Sequence, residues 1–165
     1  MGLRLRTPIL PIAPVAGWLN SGPIDVAAHG AAVTLLHFWA LSCPLCKDQM
    51  PAVVQWLERY GPRGLRVIGV HTPLVETDKN EVMVERMVRA FKLTHPIVLD
   101  QEGVVASTYQ VDAVPTYFLY DRNLLLRYRH TGSQATAPVT RMIERLLNEA
   151  EQEERGDRRA VVGGN

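Results

Sequence analysis

The stretch 33–47, VTLLHFWALSCPLCK, contains both cysteines of the 165-residue chain. Its first seven residues, Val33 to Trp39, are rich in β-branched and aromatic side chains, and so short an apolar run predicts a buried strand. Beyond Cys46, apolar residues recur at helical spacing as far as Tyr60. Cys43 and Cys46 are therefore predicted to lie on a strand-to-helix turn and in the first turn of the helix.

The alternation of strand and helix continues after this unit. The predicted elements are a strand at 65–70, a helix at 82–91, a strand at 96–99, a short helix at 104–109, strands at 116–120 and 124–129, and a helix from 139 to about 151. Strands that alternate with helices pair in parallel through right-handed crossovers. The last two strands are close enough to form an antiparallel hairpin. The pattern predicts an α/β fold with a central mixed sheet, in which parallel strands are joined by a C-terminal antiparallel hairpin and flanked by helices.

Length and composition predict a single domain with two extensions. Residues 1–17 contain Pro8, Pro11 and Pro14 and are expected to form an extended N-terminal arm. Residues 18–151 carry the folded domain. Residues 152–165 are charged and then glycine-rich, and we expect them to form a disordered tail.

The charge balance and hydropathy exclude several classes of partner. Eighteen basic and 17 acidic residues leave a net charge of +1, which argues against nucleic acid as a ligand. No apolar run reaches the roughly 18 residues of a membrane span. The chain starts at Met1 without a convincing secretory segment, which favours the cytoplasm. A trimmed N-terminus would permit an extracytoplasmic location.

The two cysteines, spaced as Cys-Pro-Leu-Cys, indicate redox chemistry. Two cysteines cannot build a disulfide framework, and the five histidines lack the spacing of a zinc finger. A thiolate at a helix N-terminus is stabilised by the helix dipole and by free N–H groups, so Cys43 is the predicted nucleophile. Cys46 is then the resolving thiol. Pro44 suits the first helical turn, either as part of the site or only as a helix starter.

These motifs resemble the TlpA-like and ResA-like thiol-disulfide oxidoreductases of the thioredoxin superfamily. The resemblance rests on residues 38–47, on Pro51 and on Val114-Pro115-Thr116. Residues 67–73 and 93–100 resemble the subgroup that includes the C-terminal domain of DipZ and the thioredoxin-like domain of NHL-repeat proteins. The resemblance covers about residues 14–149 and implies a thioredoxin fold with a redox-active centre that serves cell redox homeostasis.

The resemblance also assigns roles around the cysteines. It implies a cis peptide bond before Pro115, so that the backbone of Val114 faces the cysteines and pairs with an extended substrate. The alternative is a trans proline that opens an edge strand. Trp39 packs beneath the active-site loop in the family, although a tryptophan at the end of a buried strand is equally a core residue.

The sequence departs from the family at three positions. Ser42 stands where a tryptophan usually precedes the first cysteine, which removes an apolar surface that helps to dock partners. Gln49 replaces a common glutamate and cannot titrate. His37 matches the buried aspartate of thioredoxin and could accept the proton of Cys46, or it could be a strand histidine bonded to a backbone carbonyl. His71 is a second candidate, with a structural role as its alternative.

We therefore expect a monomeric thiol-disulfide oxidoreductase that exchanges a Cys43–Cys46 disulfide with protein substrates, as a reductant, without a cofactor or metal. Its partners would be protein disulfides or dithiols and a redox partner. The alternative is a non-catalytic thioredoxin-like binding module or a Cu(I) metallochaperone that adds His37 or His71 to the thiolates. A peroxidase would need a threonine and a proline where Ala40 and Leu36 stand.

Overall fold

The computed structural model describes residues 2–12 and 15–164. Strands and helices alternate through most of the chain, as the sequence pattern predicts. The elements are β1 (Gly17–Leu19), β2 (Val33–Trp39), α1 (Pro44–Tyr60), β3 (Leu65–His71), α2 (Glu81–Ala90), β4 (Ile97–Leu99), α3 (Val104–Thr108), β5 (Thr116–Tyr120), β6 (Leu126–Thr131) and α4 (Thr136–Val162). Short 3-10 turns lie at Gly61–Arg63 and Glu76–Lys79.

The strands form one six-stranded sheet in the order β1-β4-β3-β2-β5-β6. Strands β2, β3 and β4 are parallel, whereas β5 runs antiparallel to β2 and β6 antiparallel to β5. The predicted mixed sheet with a C-terminal hairpin is confirmed. Strands β1 and β6 form its two edges.

Strand β2 lies inside the sheet, between β3 and β5, and all seven of its residues are buried. Its side chains alternate between the two faces. Leu36 and Phe38 pack into a core that includes residues of α3, and Val33 and Leu35 pack into a second core with residues of α1 and α4. This double burial fixes the carboxyl end of β2, where the chain turns into the cysteine motif.

Strands β1 and β6 differ most from the prediction, which contained no strand at 17–19. Strand β1 pairs antiparallel with β4 over only three residues, which is too short for a periodic pattern. Strand β6 begins at Leu126 rather than Leu124, because Leu124 adopts a left-handed backbone conformation with φ of 60°. The carboxylate of Asp121 accepts the N–H groups of Asn123 and Leu125, so the turn between β5 and β6 is longer than predicted.

The N-terminal arm packs against the domain over its described residues. The N–H of Arg6 donates to the carbonyl of Leu126 at 2.7 Å, and the N–H of Ile9 donates to that of Leu124 at 2.8 Å. The side chain of Ile9 is buried in the same core as Phe38. Met1, Ala13 and Pro14, which belong to the predicted arm 1–17, lie outside the described residues.

The disordered tail predicted after Glu151 is wrong for residues 152–162, which continue α4. The prediction followed the end of the apolar stripe, but these residues are mostly strong helix formers. Arg122 pairs with Glu153 at 3.4 Å and with Asp157 at 3.8 Å, which holds the extension against the turn after β5. Neither α4 nor any other helix within 2–12 and 15–164 is long and apolar enough to span a membrane.

The extension of α4 makes Gly156 a helix-interior glycine. A Gly156→Ala variant is expected to increase helicity and to raise the free energy of unfolding by about 0.5–1 kcal/mol, because alanine costs less backbone entropy in a helix. Gly156→Pro is expected to shorten the helix. Circular dichroism and urea unfolding measure both effects. If neither variant changes the helical signal, residues 152–162 are not helical in solution.

Candidate active site

The cysteines lie where β2 ends and α1 begins. Cys43 is the N-cap residue of α1, and its Sγ accepts the N–H of Cys46 at 3.1 Å. Pro44 occupies the first helical turn, where its missing N–H costs nothing. A disulfide joins Cys43 to Cys46, whose Cα atoms are 5.3 Å apart. The predicted placement of the pair is confirmed, and the structure represents the oxidised protein.

The two sulfurs differ in their access to solvent. Cys43 is 5% exposed, whereas Cys46 is 0% exposed and packs in a cluster that includes Trp39 and Met50. Of the two residues, only Cys43 retains any exposed surface. The apolar surroundings of Cys46 disfavour its thiolate, because burial penalises a charge that lacks a partner.

A second segment approaches Cys43 from the loop before β5. The Val114–Pro115 peptide bond is cis, as the resemblance implies. The carbonyl oxygen of Val114 lies 3.8 Å from Sγ of Cys43. Val114 is partly exposed, and Pro115 is buried. The predicted pairing of this backbone with a substrate is compatible with that exposure and remains a prediction.

Trp39 and His71 support the loop between β2 and α1 from below. The fully buried indole of Trp39 packs edge-on against the imidazole of His71, with ring centroids 4.8 Å apart. Nε2 of His71 accepts the N–H of Leu41 at 3.1 Å. Burial lowers the pKa of His71 to about 4, against an opposing effect of Asp78. The neutral ring of His71 therefore fixes the backbone of the loop. This is a structural role, the alternative to accepting the proton of Cys46.

His37 occupies the centre of the sheet and is fully buried. Its ring stacks on Tyr117 with centroids 4.8 Å apart. Neither ring nitrogen has a hydrogen-bond partner among the described residues, so the expected carbonyl partner is not found. Burial, with a smaller effect of His95, lowers the pKa of His37 to about 3. So weak a base holds a proton poorly at neutral pH, which argues against His37 as the acceptor of the Cys46 proton.

Asp78 is the site residue that the sequence analysis missed. Its Oδ2 accepts the hydroxyl of Ser42 at 2.8 Å, although the two residues are 36 positions apart. The same oxygen accepts the N–H of Leu74 at 2.9 Å and that of Val75 at 3.4 Å. Burial raises the pKa of Asp78, but these hydrogen bonds outweigh it and the pKa is lowered. In the sequence, the only signal is an acidic residue in the loop that follows a strand ending near the cysteines.

The copper-binding alternative needs a histidine beside the two cysteines. Within the described part of the chain, no three His, Cys, Asp or Glu side chains lie close enough together to hold a metal ion. His37 and His71 serve instead as a stacked core ring and as an acceptor for the loop backbone. The site geometry therefore gives this alternative no support.

Known proteins are similar to this chain in sequence and in fold. Thiol-disulfide oxidoreductase YkuV of Bacillus subtilis is 29% identical over 149 residues, which cover 90% of this chain and 100% of YkuV. Sporulation thiol-disulfide oxidoreductase A of the same organism is 36% identical over 114 residues, covering 69% of this chain and 67% of the relative.

Solved structures agree with these relatives. A thioredoxin-like protein in its oxidised form superposes with a TM-score of 0.81 at 28% identity, over 89% of this chain and 99% of that one. A secreted Mycobacterium tuberculosis disulfide oxidoreductase, described as homologous to E. coli DsbE, shares the fold at 20% identity and a TM-score of 0.65, over 80% and 92% of the two chains.

A family model extends these similarities across most of the domain. The model of the AhpC/TSA family matches residues 19–129, from β1 to β6. This range contains the Cys43–Cys46 disulfide, the cis Val114–Pro115 bond and the strands that position them. The chain therefore belongs to the thioredoxin-like AhpC/TSA family and is a thiol-disulfide oxidoreductase.

Proposed function

We propose that the protein reduces disulfides in polypeptide substrates, with Cys43 as the attacking thiol and Cys46 as the resolving thiol. The observations that carry the assignment are the position of Cys43 at the N-cap of α1 and its slightly greater exposure, 5% against 0% for Cys46. A substrate sulfur meets Cys43 first, and Cys46 is held one helical turn away, where it attacks only a bond that Cys43 has already formed.

The reaction then proceeds in two exchange steps. The Cys43 thiolate attacks one sulfur of the substrate disulfide, forming a mixed disulfide and releasing the other substrate sulfur as a thiol after protonation. The Cys46 thiolate attacks Sγ of Cys43, which forms the Cys43–Cys46 disulfide and releases the second substrate thiol. Two electrons pass from the dithiol to the substrate. A dithiol redox partner returns the protein to its reduced state.

Apart from the N-terminus of α1, which stabilises the Cys43 thiolate, the charges around the pair support the proposed direction of electron flow. A dithiol is a stronger reductant when its thiolates are poorly stabilised. The Cys46 sulfur lies in apolar surroundings, and the anionic Asp78 lies one hydrogen bond from Ser42, the neighbour of Cys43. His71 is held neutral by burial. The cationic side chain of Lys47 is exposed, and solvent screens its charge.

Three further residues complete the proposed substrate site. The backbone of Val114 pairs with an extended segment of the substrate, and Pro115 directs this backbone toward Cys43. Pro44, exposed in the first turn of α1, contacts the same segment. Trp39 supports the loop from beneath and does not touch the substrate. In this assignment the protein acts as a monomer on protein disulfides.

A redox titration of the Cys43–Cys46 pair tests the direction. The protein is equilibrated in thiol buffers of stepped potential, its free thiols are alkylated, and the mass is measured. We expect a reversible two-electron transition at or below about −250 mV, close to the potential of thioredoxin. A transition near about −120 mV, as for DsbA, would make the protein an oxidant. A pair locked in one state across the range would leave only a binding role.

We also propose that the protein works outside the cytoplasm. The secreted M. tuberculosis oxidoreductase, which shares its fold, supports this location. The cytoplasmic location expected from the sequence gains no support from the comparisons. Fractionation of the source cells, followed by immunodetection, tests the proposal. Recovery of the protein with cytoplasmic markers would overturn it.

A further inference from the structure

We propose that Asp78 is a positioning residue for thiol-disulfide exchange. Held against the turn that precedes Cys43, its carboxylate disfavours the Cys43 thiolate and so makes the Cys43–Cys46 dithiol a stronger reductant. The inference rests on the proposed attack by Cys43 and names the residue that sets the reducing power of the pair.

The carboxylate of Asp78 is buried beside the turn between β2 and α1. Asp78 is 1% exposed, and its Oδ2 lies 2.8 Å from the hydroxyl oxygen of Ser42, the residue before Cys43. The loop that carries Asp78 is also joined to the end of β2, because the N–H of Thr72 donates to the carbonyl of Trp39 at 2.9 Å. One hydrogen bond and one peptide unit therefore separate the carboxylate from Cys43.

Asp78 keeps its negative charge at neutral pH. Burial alone raises the pKa of Asp78, but the hydrogen bonds to its carboxylate outweigh burial and the pKa is lowered. The donors are the hydroxyl of Ser42 and the N–H groups of Leu74 and Val75. Salt screens a buried charge of this kind much less than an exposed one.

The neighbouring side chains of the loop leave this charge uncompensated. Lys79, the residue after Asp78, pairs with Glu76 at 3.5 Å. Burial lowers the pKa of His71 to about 4, so its imidazole is neutral at pH 7. Asp78 therefore contributes a full negative charge on this side of the cysteine turn.

The other elements around Cys43 do not cancel the effect of Asp78. On α1, Lys47 and Asp48 are both exposed and opposite in sign. The loop before β5 faces Sγ of Cys43 with the uncharged carbonyl of Val114, at 3.8 Å. The N-terminus of α1 stabilises the Cys43 thiolate, and the carboxylate of Asp78 opposes it.

Repulsion between the two anions changes the redox equilibrium, because only the reduced pair carries a charge at Cys43. The disulfide is neutral and is not repelled by the carboxylate, whereas the thiolate is destabilised. A pair whose reduced form is less stable has a lower reduction potential. Asp78 therefore shifts the equilibrium toward the disulfide, which is the state reached when the pair has given up its electrons.

The same contact gives the departure at Ser42 a physical role. A tryptophan at this position has no hydroxyl, whereas serine offers a short donor at the edge of the turn. The hydrogen bond from Ser42 offsets part of the cost of burying the carboxylate of Asp78. The serine thus permits a charge to lie where the family usually has an aromatic ring nearby.

The Asp78→Asn variant tests the inference, because it removes the charge and keeps the hydrogen bonds. All three bonds end on one oxygen, Oδ2, so the amide oxygen of asparagine can accept them. In the reduced protein, alkylation of Cys43 by iodoacetamide is followed by mass across a range of pH. We expect the pH of half-maximal reactivity to fall by about one unit.

The redox equilibrium of the same variant gives a second measurement. In one thiol buffer at about pH 9, its ratio of oxidised to reduced protein should be about tenfold lower than that of the unmodified protein, equivalent to about 30 mV. The difference should be smaller at about pH 6, where fewer thiols are ionised. If urea unfolding shows that Asp78→Asn is not folded, Asp78→Ser serves as the second neutral variant.

Two control variants separate the charge from the hydrogen bond and from general destabilisation. Ser42→Ala removes the hydrogen bond and keeps the carboxylate, which retains the N–H groups of Leu74 and Val75. Asp121→Asn neutralises another buried carboxylate, which accepts two backbone N–H groups at the amino end of β2, opposite the cysteines. Both should keep the redox ratio within about twofold, because neither removes a charge beside Cys43.

The outcomes separate the inference from the proposed function. An Asp78→Asn protein with an unchanged alkylation profile and redox ratio overturns the inference. So does an equal shift in Ser42→Ala or Asp121→Asn, because that shift would reflect altered structure rather than the charge of Asp78. An unmodified protein that behaves as an oxidant overturns the proposed direction alone, and the shift in Asp78→Asn still decides whether the carboxylate acts on Cys43.

Discussion

A Cys43→Ser variant is expected to lose disulfide reductase turnover by at least about 10³-fold, because a serine hydroxyl cannot form the mixed disulfide with the substrate. The loss should be the same with protein and small-molecule disulfides, since every substrate must pass through Cys43. Turnover of insulin and of glutathione disulfide, followed at saturating dithiol, measures it. Unfolding by urea should show that the variant remains folded, because Cys43 and serine differ little in size.

The Cys46→Ser variant is expected to fail at a different step. Cys43 still attacks, but no resolving thiol follows, so the mixed disulfide accumulates and appears as a stoichiometric adduct by mass spectrometry. As a control, Val161→Cys in a chain that lacks both native cysteines provides one exposed thiol away from the site and should not restore turnover. An adduct formed through Cys46 in the Cys43→Ser variant would reverse the proposed roles.

Acidification is expected to destabilise the protein steeply between pH 6.5 and pH 4. Burial lowers the pKa of His37 to about 3 and those of His71 and His95 to about 4. In the unfolded chain these imidazoles take up protons near their ordinary pKa of about 6.5. Below about pH 6.5 the unfolded state therefore binds more protons than the folded state does. The free energy of unfolding is unaffected by these imidazoles above that pH and decreases as the pH falls toward their pKa values in the folded protein.

The size of this effect follows from the number of imidazoles. Near pH 5 the unfolded chain binds up to three more protons at these positions, and the free energy of unfolding then changes by about 4 kcal/mol per pH unit. Domains of this kind are stable by about 5–15 kcal/mol. We therefore expect acid unfolding before the carboxylates titrate. Urea unfolding at pH 7, 6 and 5 measures the change.

Variants assign the pH dependence to particular residues. His95→Gln and His37→Gln should each reduce the slope by about one third. His37→Gln should also keep kcat/KM within about threefold, because a base with so low a pKa contributes little proton transfer at neutral pH. Equal stability at pH 7 and pH 5 would show that these rings are protonated in the folded protein.

The sheet and the cysteine pair were predictable because both depend on local patterns. The apolar run 33–39 predicts the buried strand β2, and helical spacing after Cys46 predicts α1. The position of Cys43 at a helix N-terminus follows from these two elements alone. The cis bond before Pro115 could be predicted only from the resemblance to the family, since a proline in front of a strand is compatible with either isomer.

Contacts between residues that lie far apart in the sequence could not be predicted from local patterns. The bond from Ser42 to Asp78 depends on how the loop after β3 packs against the loop after β2. The burial of His37 against Tyr117 depends on the register between β2 and β5. The end of α4 was misjudged for a related reason, because Arg122 holds the helix beyond its apolar stripe through ion pairs with residues far away in the sequence.

The two edge strands of the sheet affect whether a bound polypeptide can extend the sheet. A protein that repeatedly meets partly unfolded chains risks becoming a nucleus for their aggregation if its outer strands can be extended. Here one edge strand, β1, has three residues, and the other, β6, carries Arg127 and Arg129. Both edges discourage the addition of a foreign strand. Under the proposed function, a polypeptide bound at the cysteines therefore meets no long, uncharged edge strand to which it could add.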